Sequence, residues 1–273
     1  MRYLARTADG DALLGDDDGV VPLGSAAPEY ASVREALPAA ATGTLPDPEV
    51  ATADRISREN HSLSAPLEEP GKLFGIGLNY VEHAGDLSEE APDEPASFFK
   101  PTTAATGPGG PIRLPPASTS DRVTAEAELA VVIGRTCRNV DVAEADDVIA
   151  GYTPVIDTTA EDILQRNPRF LTRAKSFDTF LVLGPHLAVP EPGTDLSETT
   201  VRTVIDGETV AENVVGNMTF SPRELVAFHS DVMTLQPGDV ISTGTPGAGV
   251  IEPGSHVRAE VEGVGSVAAD VSR

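Results

Sequence analysis

The residues whose types and spacing most invite chemistry are Glu126 and Glu128, in the run RVTAEAELAVVIG from Arg122 to Gly134. In an extended strand alternate side chains share a face, so Glu126, Glu128, Ala130 and Val132 point one way while Ala127, Leu129, Val131 and Ile133 point the other. Two carboxylates so spaced stand about 7 Å apart along the strand, at the mouth of an apolar run that heads for a core. Like charges held there either raise a pKa or share a cation. An all-oxygen donor set suits a hard ion such as Mg²⁺, Mn²⁺ or Ca²⁺. The alternative is a solvent-facing strand carrying two solubilising glutamates.

The elements that must position this strand read as a mixed pattern, α+β and mostly β, with short helices punctuated by 25 Gly and 23 Pro. Strands are expected at Arg2–Thr7 and Gly19–Leu23, with a helix over Tyr30–Leu37 and a connector rich in Ala, Pro, Thr and Glu over Ala39–Pro70. This divides the chain into a small N-terminal domain with its connector, residues 1–69, and a larger domain, residues 70–273. KLFGIGLNY reads as a buried strand, VEHAGDLSEE as helical in composition, SFFKP as a short strand, and Glu144–Ala150 as a short helix. GYTPVID reads as a strand ending at Asp157, and TTAEDILQRN as a helix. TVRTVIDGETVAE is a hairpin turning at Asp206-Gly207. Ser221, Pro222 and Glu224 spell a capping box before a helix, and SHVRAEVEGVGSVAADV alternates like two antiparallel strands.

The 43 acidic and 19 basic side chains leave 24 net negative charges, which disfavours nucleic acid and anionic membranes as partners. Only Lys72, Lys100 and Lys175 are lysines. Such a surface of Asp, Glu and Arg suggests adaptation to a high-salt cytoplasm, a halophilic trait, although GC-rich coding also favours Arg over Lys. Cys137 is the single cysteine, so neither an intrachain disulfide nor a cysteine zinc site is expected. The start lacks an apolar signal region and no apolar run is long enough to span a bilayer, so a soluble cytoplasmic protein is expected. GIGLNY lacks the third glycine of a dinucleotide fingerprint, and STGTPGAG lacks the lysine of a phosphate loop. H-E-x-x-H and G-x-S-x-G do not occur.

Seven pieces in one order carry a stronger signal: GIGLNYVEH (75–83), FFKP (98–101), AEAELAVVIGR (125–135), GYTPVID (151–157), KSFDTF (175–180), LGP (183–185) and LQPGDVISTGTP (235–246). In this series the chain resembles the fumarylacetoacetate hydrolase family, in particular its acylpyruvase and 2-hydroxyhepta-2,4-diene-1,7-dioate isomerase-like members. The resemblance implies a β-roll core, a homodimer, and a divalent cation (Mg²⁺, or Mn²⁺ or Ca²⁺) held by Glu126, Glu128 and Asp157. Read alone, Asp157 is equally an anion at a helix N-terminus. The resemblance also makes His83 the catalytic histidine with Asp86 as its orienting partner, since residues three apart are neighbours on a helix. Lys175 becomes a catalytic, substrate-contacting lysine, Thr179 and Thr245 line the site, and Lys100 is a candidate substrate-binding residue. The chain departs from the family at Ile156, Glu161 and Leu164, where Asn, Arg and Gln are common. Of these, a carboxylate at 161 repels acids.

What the resemblance implies is a metal-dependent hydrolase that cleaves a carbon–carbon bond in a small 2-oxo or 1,3-dicarbonyl acid through a metal-stabilised enolate. Decarboxylation, (de)hydration or isomerisation on the same site is the alternative, and a non-catalytic metabolite-binding or structural dimer is the alternative of another class. The charge balance generates its own expectation. Salt screens the self-repulsion of 24 negative charges once the Debye length falls to about 3 Å near 1 M. The thermal midpoint is expected to rise with KCl, and a flat or falling midpoint up to molar KCl contradicts the high-salt reading.

Overall fold

A computed structural model describes residues 1–57, 61–81, 92–191 and 193–273. Its centre is the strand Val123–Ile133, all eleven residues of which are buried. Along one edge this strand pairs antiparallel with Ile149–Ala160, and along the other with Val240–Ser242 and Ala248–Ile251. A strand with neighbours on both edges and a core on both faces reads as a near-continuous apolar run, and here the two glutamates are the interruption.

Alternation along this strand divides two cores. Ala125, Ala127, Leu129, Val131 and Ile133 face the larger one, together with Val201, Val257, Ala259 and Val267 from a second, five-stranded sheet. Ala130 and Val132 face the smaller one, with Leu4, Leu14, Leu37 and Leu183. The main sheet runs in the order Gly19–Pro22, Ala12–Asp16, Arg2–Thr7, His186–Val189, Ile149–Ala160, Val123–Ile133, Val240–Ser242, Leu73–Gly77, Ala96–Lys100. The N-terminal strands therefore extend the sheet that carries the glutamates, through pairing of Arg2–Thr7 with His186–Val189. The second sheet holds the hairpin turning at Asp206-Gly207 and the two final strands, His256–Val261 and Gly265–Ser272. The mostly-β, α+β class read from the sequence is the one observed.

Several local expectations need correction. The helix expected from Thr158 starts only at Glu161 and ends at Arg166. Thr158 and Thr159 instead continue the strand, opposite Ala125 and Thr124, as β-branched residues do on a buried pleated surface. The early helix lies at Val33–Ala41 rather than Tyr30–Leu37, because Ser32 caps it by accepting from the Glu35 amide. The strand Ala12–Asp16, not assigned from the sequence, is held by antiparallel pairing with Arg2–Thr7. In place of the helix over Glu144–Ala150 there is a 3-10 turn, Val142–Asp147, followed by strand. By contrast, Ser221 and Glu224 form the full capping box of the helix Pro222–Val232.

Behind the site, Asn79 acts as a clamp. Its amide donates to the carbonyls of Phe220 (2.9 Å) and Thr243 (2.7 Å) and accepts from the Phe220 amide (2.9 Å). This fully buried side chain spends its bonding capacity on backbone, which fixes the end of Leu73–Gly77 against the turn after Val240–Ser242.

Candidate active site

Glu126 and Asp157 are paired across adjacent strands, and Glu128 lies two residues further along the same face. One oxygen from each of the three carboxylates lies within 4.8 Å of the others. Glu126 is 9%, Glu128 1% and Asp157 0% exposed, which rules out a solvent-facing strand. Like charges directly opposite one another on a sheet repel, and burial makes the repulsion worse. Two ammonium groups offset it. Lys175 Nζ donates to Glu126 Oε2 at 2.8 Å and to Asp157 Oδ2 at 2.9 Å, and Lys100 Nζ is ion-paired with Asp157 Oδ1.

Each glutamate also has its own holders. Thr159 Oγ1 donates to Glu126 Oε1 at 2.6 Å. Ser242 Oγ and the Gly244 amide, the latter at 2.8 Å, both donate to Glu128 Oε2. Gly244 has φ +97°, and a Cβ there would stand 2.8 Å from Asn79 Cβ, so the turn that delivers its N–H requires glycine. Thr159, Ser242 and Gly244 were not singled out from the sequence. The available signals were period two from Asp157 for Thr159, and the S-T-G triplet inside LQPGDVISTGTP for the others.

Electrostatics follow from these contacts. Burial and the negative charges of Asp157 and Glu126 push the Glu128 carboxyl up to about 8. Burial opposes ionisation of Asp157, but Lys100 and Lys175 outweigh it and hold its pKa below the ordinary value. Burial likewise disfavours the Lys175 ammonium, yet Asp157, Glu126 and Glu128 together raise its pKa. For Lys100, burial wins with help from the charge of Lys175, and its pKa is lowered. The Tyr80 phenol is fully buried, and its pKa is raised by burial and by Glu128.

The structure thus brings together Glu126, Glu128, Asp157, Lys100 and Lys175. Thr179 Oγ1 accepts from the Arg113 amide at 2.8 Å, and Thr245 Oγ1 donates to the Gly247 carbonyl at 2.9 Å, so both hydroxyls are engaged with backbone. His83 and Asp86 lie outside the described residues. Phe98 presents its ring to Lys175, with Nζ 5.4 Å from the centroid, and lies over Gly75, where a Cβ would stand 2.3 Å from the ring. Of the departures from the family pattern, Ile156 is buried in the larger core and Leu164 packs against it. The Glu161 carboxylate, expected to repel acids, is instead paired with the Arg122 guanidinium and bonded by Gln165.

The donor set fits a hard divalent cation. It is all oxygen, convergent and buried, and the Lys175 ammonium bridging Glu126 and Asp157 shows that these oxygens already converge on positive charge. The outer donors Thr159, Ser242 and Gly244 fix the carboxylates as a metal site requires.

Residues 72–272 match the fumarylacetoacetate (FAA) hydrolase C-terminal family. Oxaloacetate tautomerase fahd2 of Xenopus laevis is 37% identical over 221 residues, 78% of this chain and 69% of that one. The crystal structure of 5-carboxymethyl-2-hydroxymuconate delta-isomerase from Mycobacterium smegmatis superposes with a TM-score of 0.79 at 35% identity, covering 100% of both chains. Maleylpyruvate hydrolase from Sphingobium sp. SYK-6, solved with manganese (II) and pyruvate, gives 0.79 at 28% identity over 100% of this chain and 99% of that one. The chain belongs to the fumarylacetoacetate hydrolase family and is an enzyme.

The raised pKa of Glu128 makes a pH prediction. A carboxyl whose pKa is higher folded than unfolded contributes stability that is full below the ordinary carboxylate pKa of 4.5 and is lost as the pH rises through about 8. In chelator, the thermal midpoint is expected to fall across this window, and Glu128→Gln is expected to flatten that fall. Parallel pH profiles for the two proteins contradict the assignment.

Proposed function

We propose that this enzyme is a divalent-metal-dependent hydrolase that cleaves a carbon–carbon bond in a small 2-oxo or 1,3-dicarbonyl acid of the acylpyruvate class. The observation that carries the proposal is the buried triad of Glu126, Glu128 and Asp157 with the Lys175 ammonium on its more open side. Glu126, Glu128 and Asp157 would hold a divalent cation, which would supply Lewis-acid stabilisation of negative charge developing on the substrate. Lys175 binds and stabilises the same developing charge from the side. His83 follows the strand Leu73–Gly77 in the chain and takes the proton of the attacking water, while Asp86 orients its ring and supports its charge. Thr179 and Thr245 shape the wall through the backbone they hold. The Glu161–Arg122 pair keeps the acidic residue from opposing an anionic substrate.

The family resemblance supports Mg²⁺ as the resident ion, a homodimer as the working assembly and the cytoplasm as its location. The manganese in maleylpyruvate hydrolase supports Mn²⁺ equally. No helix among the described residues is long and apolar enough to cross a membrane. A second reading, isomerisation, tautomerisation or decarboxylation on the same carboxylates, is favoured by the tautomerase and isomerase among the relatives. These reactions need no water attack.

The test is turnover of a panel of acylpyruvates, oxaloacetate and 2-oxo-3-deoxy sugar acids, with and without Mg²⁺ or Mn²⁺, by wild type and His83→Gln. Hydrolysis of an acylpyruvate is expected to need the ion and to fall about a hundredfold or more in His83→Gln, the usual scale for a general base. Full activity in His83→Gln excludes water attack assisted by this histidine.

A further inference from the structure

Lys100 was expected to bind substrate, and its surroundings argue for a different task. Its side chain is 1% exposed. An ammonium has three N–H donors, and three close acceptors surround this one: the Asp157 carboxylate, the Lys175 carbonyl at 2.6 Å and the Phe180 carbonyl at 2.8 Å, with the Thr158 carbonyl further off at 3.4 Å. No donor is left over for a ligand. What exposure the charge cluster retains belongs to Glu126 and Lys175, at 11% and 8% of their side chains, whereas Asp157 is at 0%. Lys100 is therefore enclosed at Asp157, away from any approach to the site.

The three acceptors sit on two elements that must be registered to each other. Asp157 belongs to the long strand Ile149–Ala160. Lys175 and Phe180 are the two ends of the segment KSFDTF, which carries the Lys175 ammonium and in which Thr179 adopts φ +69°, an unfavourable backbone for a β-branched residue. Among the described residues the segment is short of regular structure, since the helix Leu171–Lys175 ends at its start and the strand Leu181–Leu183 begins after it. Its shape is over-determined by a few contacts, and Lys100 supplies one at each end.

We infer that Lys100 is a positioning residue: its ammonium ties both ends of residues 175–180 to the Asp157 carboxylate, and so fixes the Lys175 ammonium relative to the carboxylate triad. Lysine suits the task where arginine does not. A compact tetrahedral head can reach three convergent oxygens inside a packed site, whereas a planar guanidinium needs a wider, forked arrangement.

The lysine content of the chain supplies the test. A protease specific for lysine has three candidate bonds, after Lys72, Lys100 and Lys175, and the Pro at 101 blocks the second. Lys72 is separately anchored on the buried Asp239, so cleavage there reports general loosening. In Lys100→Met, native-state cleavage after Lys175 is expected to rise about tenfold or more while cleavage after Lys72 stays at the wild-type rate, the signature of local opening. On the best substrate kcat is expected to fall about a hundredfold, the scale for misplaced groups, with KM little changed. This kinetic arm rests on the function proposed above. The proteolysis arm does not, so failure of one is distinguishable from failure of the other.

Cleavage rising equally at both bonds would reduce Lys100 to a general stabiliser. A raised KM with Lys175 still protected would return it to substrate binding. Either result overturns the inference. Should Lys100→Met fail to fold because Asp157 keeps only one of its two buried ammonium partners, the double variant Lys100→Met/Asp157→Asn removes both members of the Lys100 pair. Because Asp157 also holds the Lys175 ammonium, cleavage of the double variant is read against Asp157→Asn alone, and equal cleavage after Lys175 in these two proteins likewise overturns the inference.

Discussion

Three carboxylates buried together with two ammonium groups are the constraint on which the rest of this structure depends. Taking an ion out of water costs several kcal/mol even after relaxation, and removing one partner of a buried pair costs about 3–5 kcal/mol. Glu126, Glu128, Asp157, Lys100 and Lys175 are therefore a unit rather than five independent residues. Three negative charges against two positive leave the cluster short of balance, and the raised pKa of Glu128 is one way the excess shows. The surrounding architecture answers the same demand. A fully paired central strand fixes the glutamates, its long neighbour fixes Asp157, and the turn held by Asn79 delivers an amide to Glu128.

The scarcity of lysine takes on physical meaning in this light. The positive charge of this acidic chain is carried mostly by arginine, and each of its three lysines pairs with a buried carboxylate: Lys72 with Asp239, Lys100 with Asp157, and Lys175 with Glu126 and Asp157. Where composition has removed a residue type from the surface, the survivors mark places at which its geometry is required. The scarcity itself is legible in the sequence, as is the same-face placement of Glu126 and Glu128, because strand alternation is strict. The Asp206-Gly207 hairpin and the Ser221 capping box were legible for a similar reason, each being specified by residues within one turn of chain.

What the sequence did not disclose depends on contacts between distant residues. Helical composition after Asp157 was overridden because Thr158 and Thr159 lie opposite the central strand, where the Thr159 hydroxyl meets Glu126. Lys100 looked available to a substrate because nothing local shows that carbonyls 75 and 80 residues away saturate it. The ion pair of Glu161 with Arg122, 39 residues earlier, is likewise invisible to local pattern. The pairing of Arg2–Thr7 with His186–Val189, which joins the first strands to the main sheet, is another contact that no local pattern announces.

Relatives named as a tautomerase, an isomerase and a hydrolase are all similar to this chain, so the carboxylate cluster alone does not choose the reaction. It makes a prior commitment, a place where negative charge on a small acid can be stabilised. Whether the cluster is a cation site is thus the central claim, and the most direct measurement is an anomalous difference map from crystals grown with Mn²⁺. The account predicts one strong peak within coordination distance of Glu126, Glu128 and Asp157, about 2.0–2.6 Å as hard cations bind oxygen. A map with no peak there, or with manganese only on surface acidic residues, contradicts it.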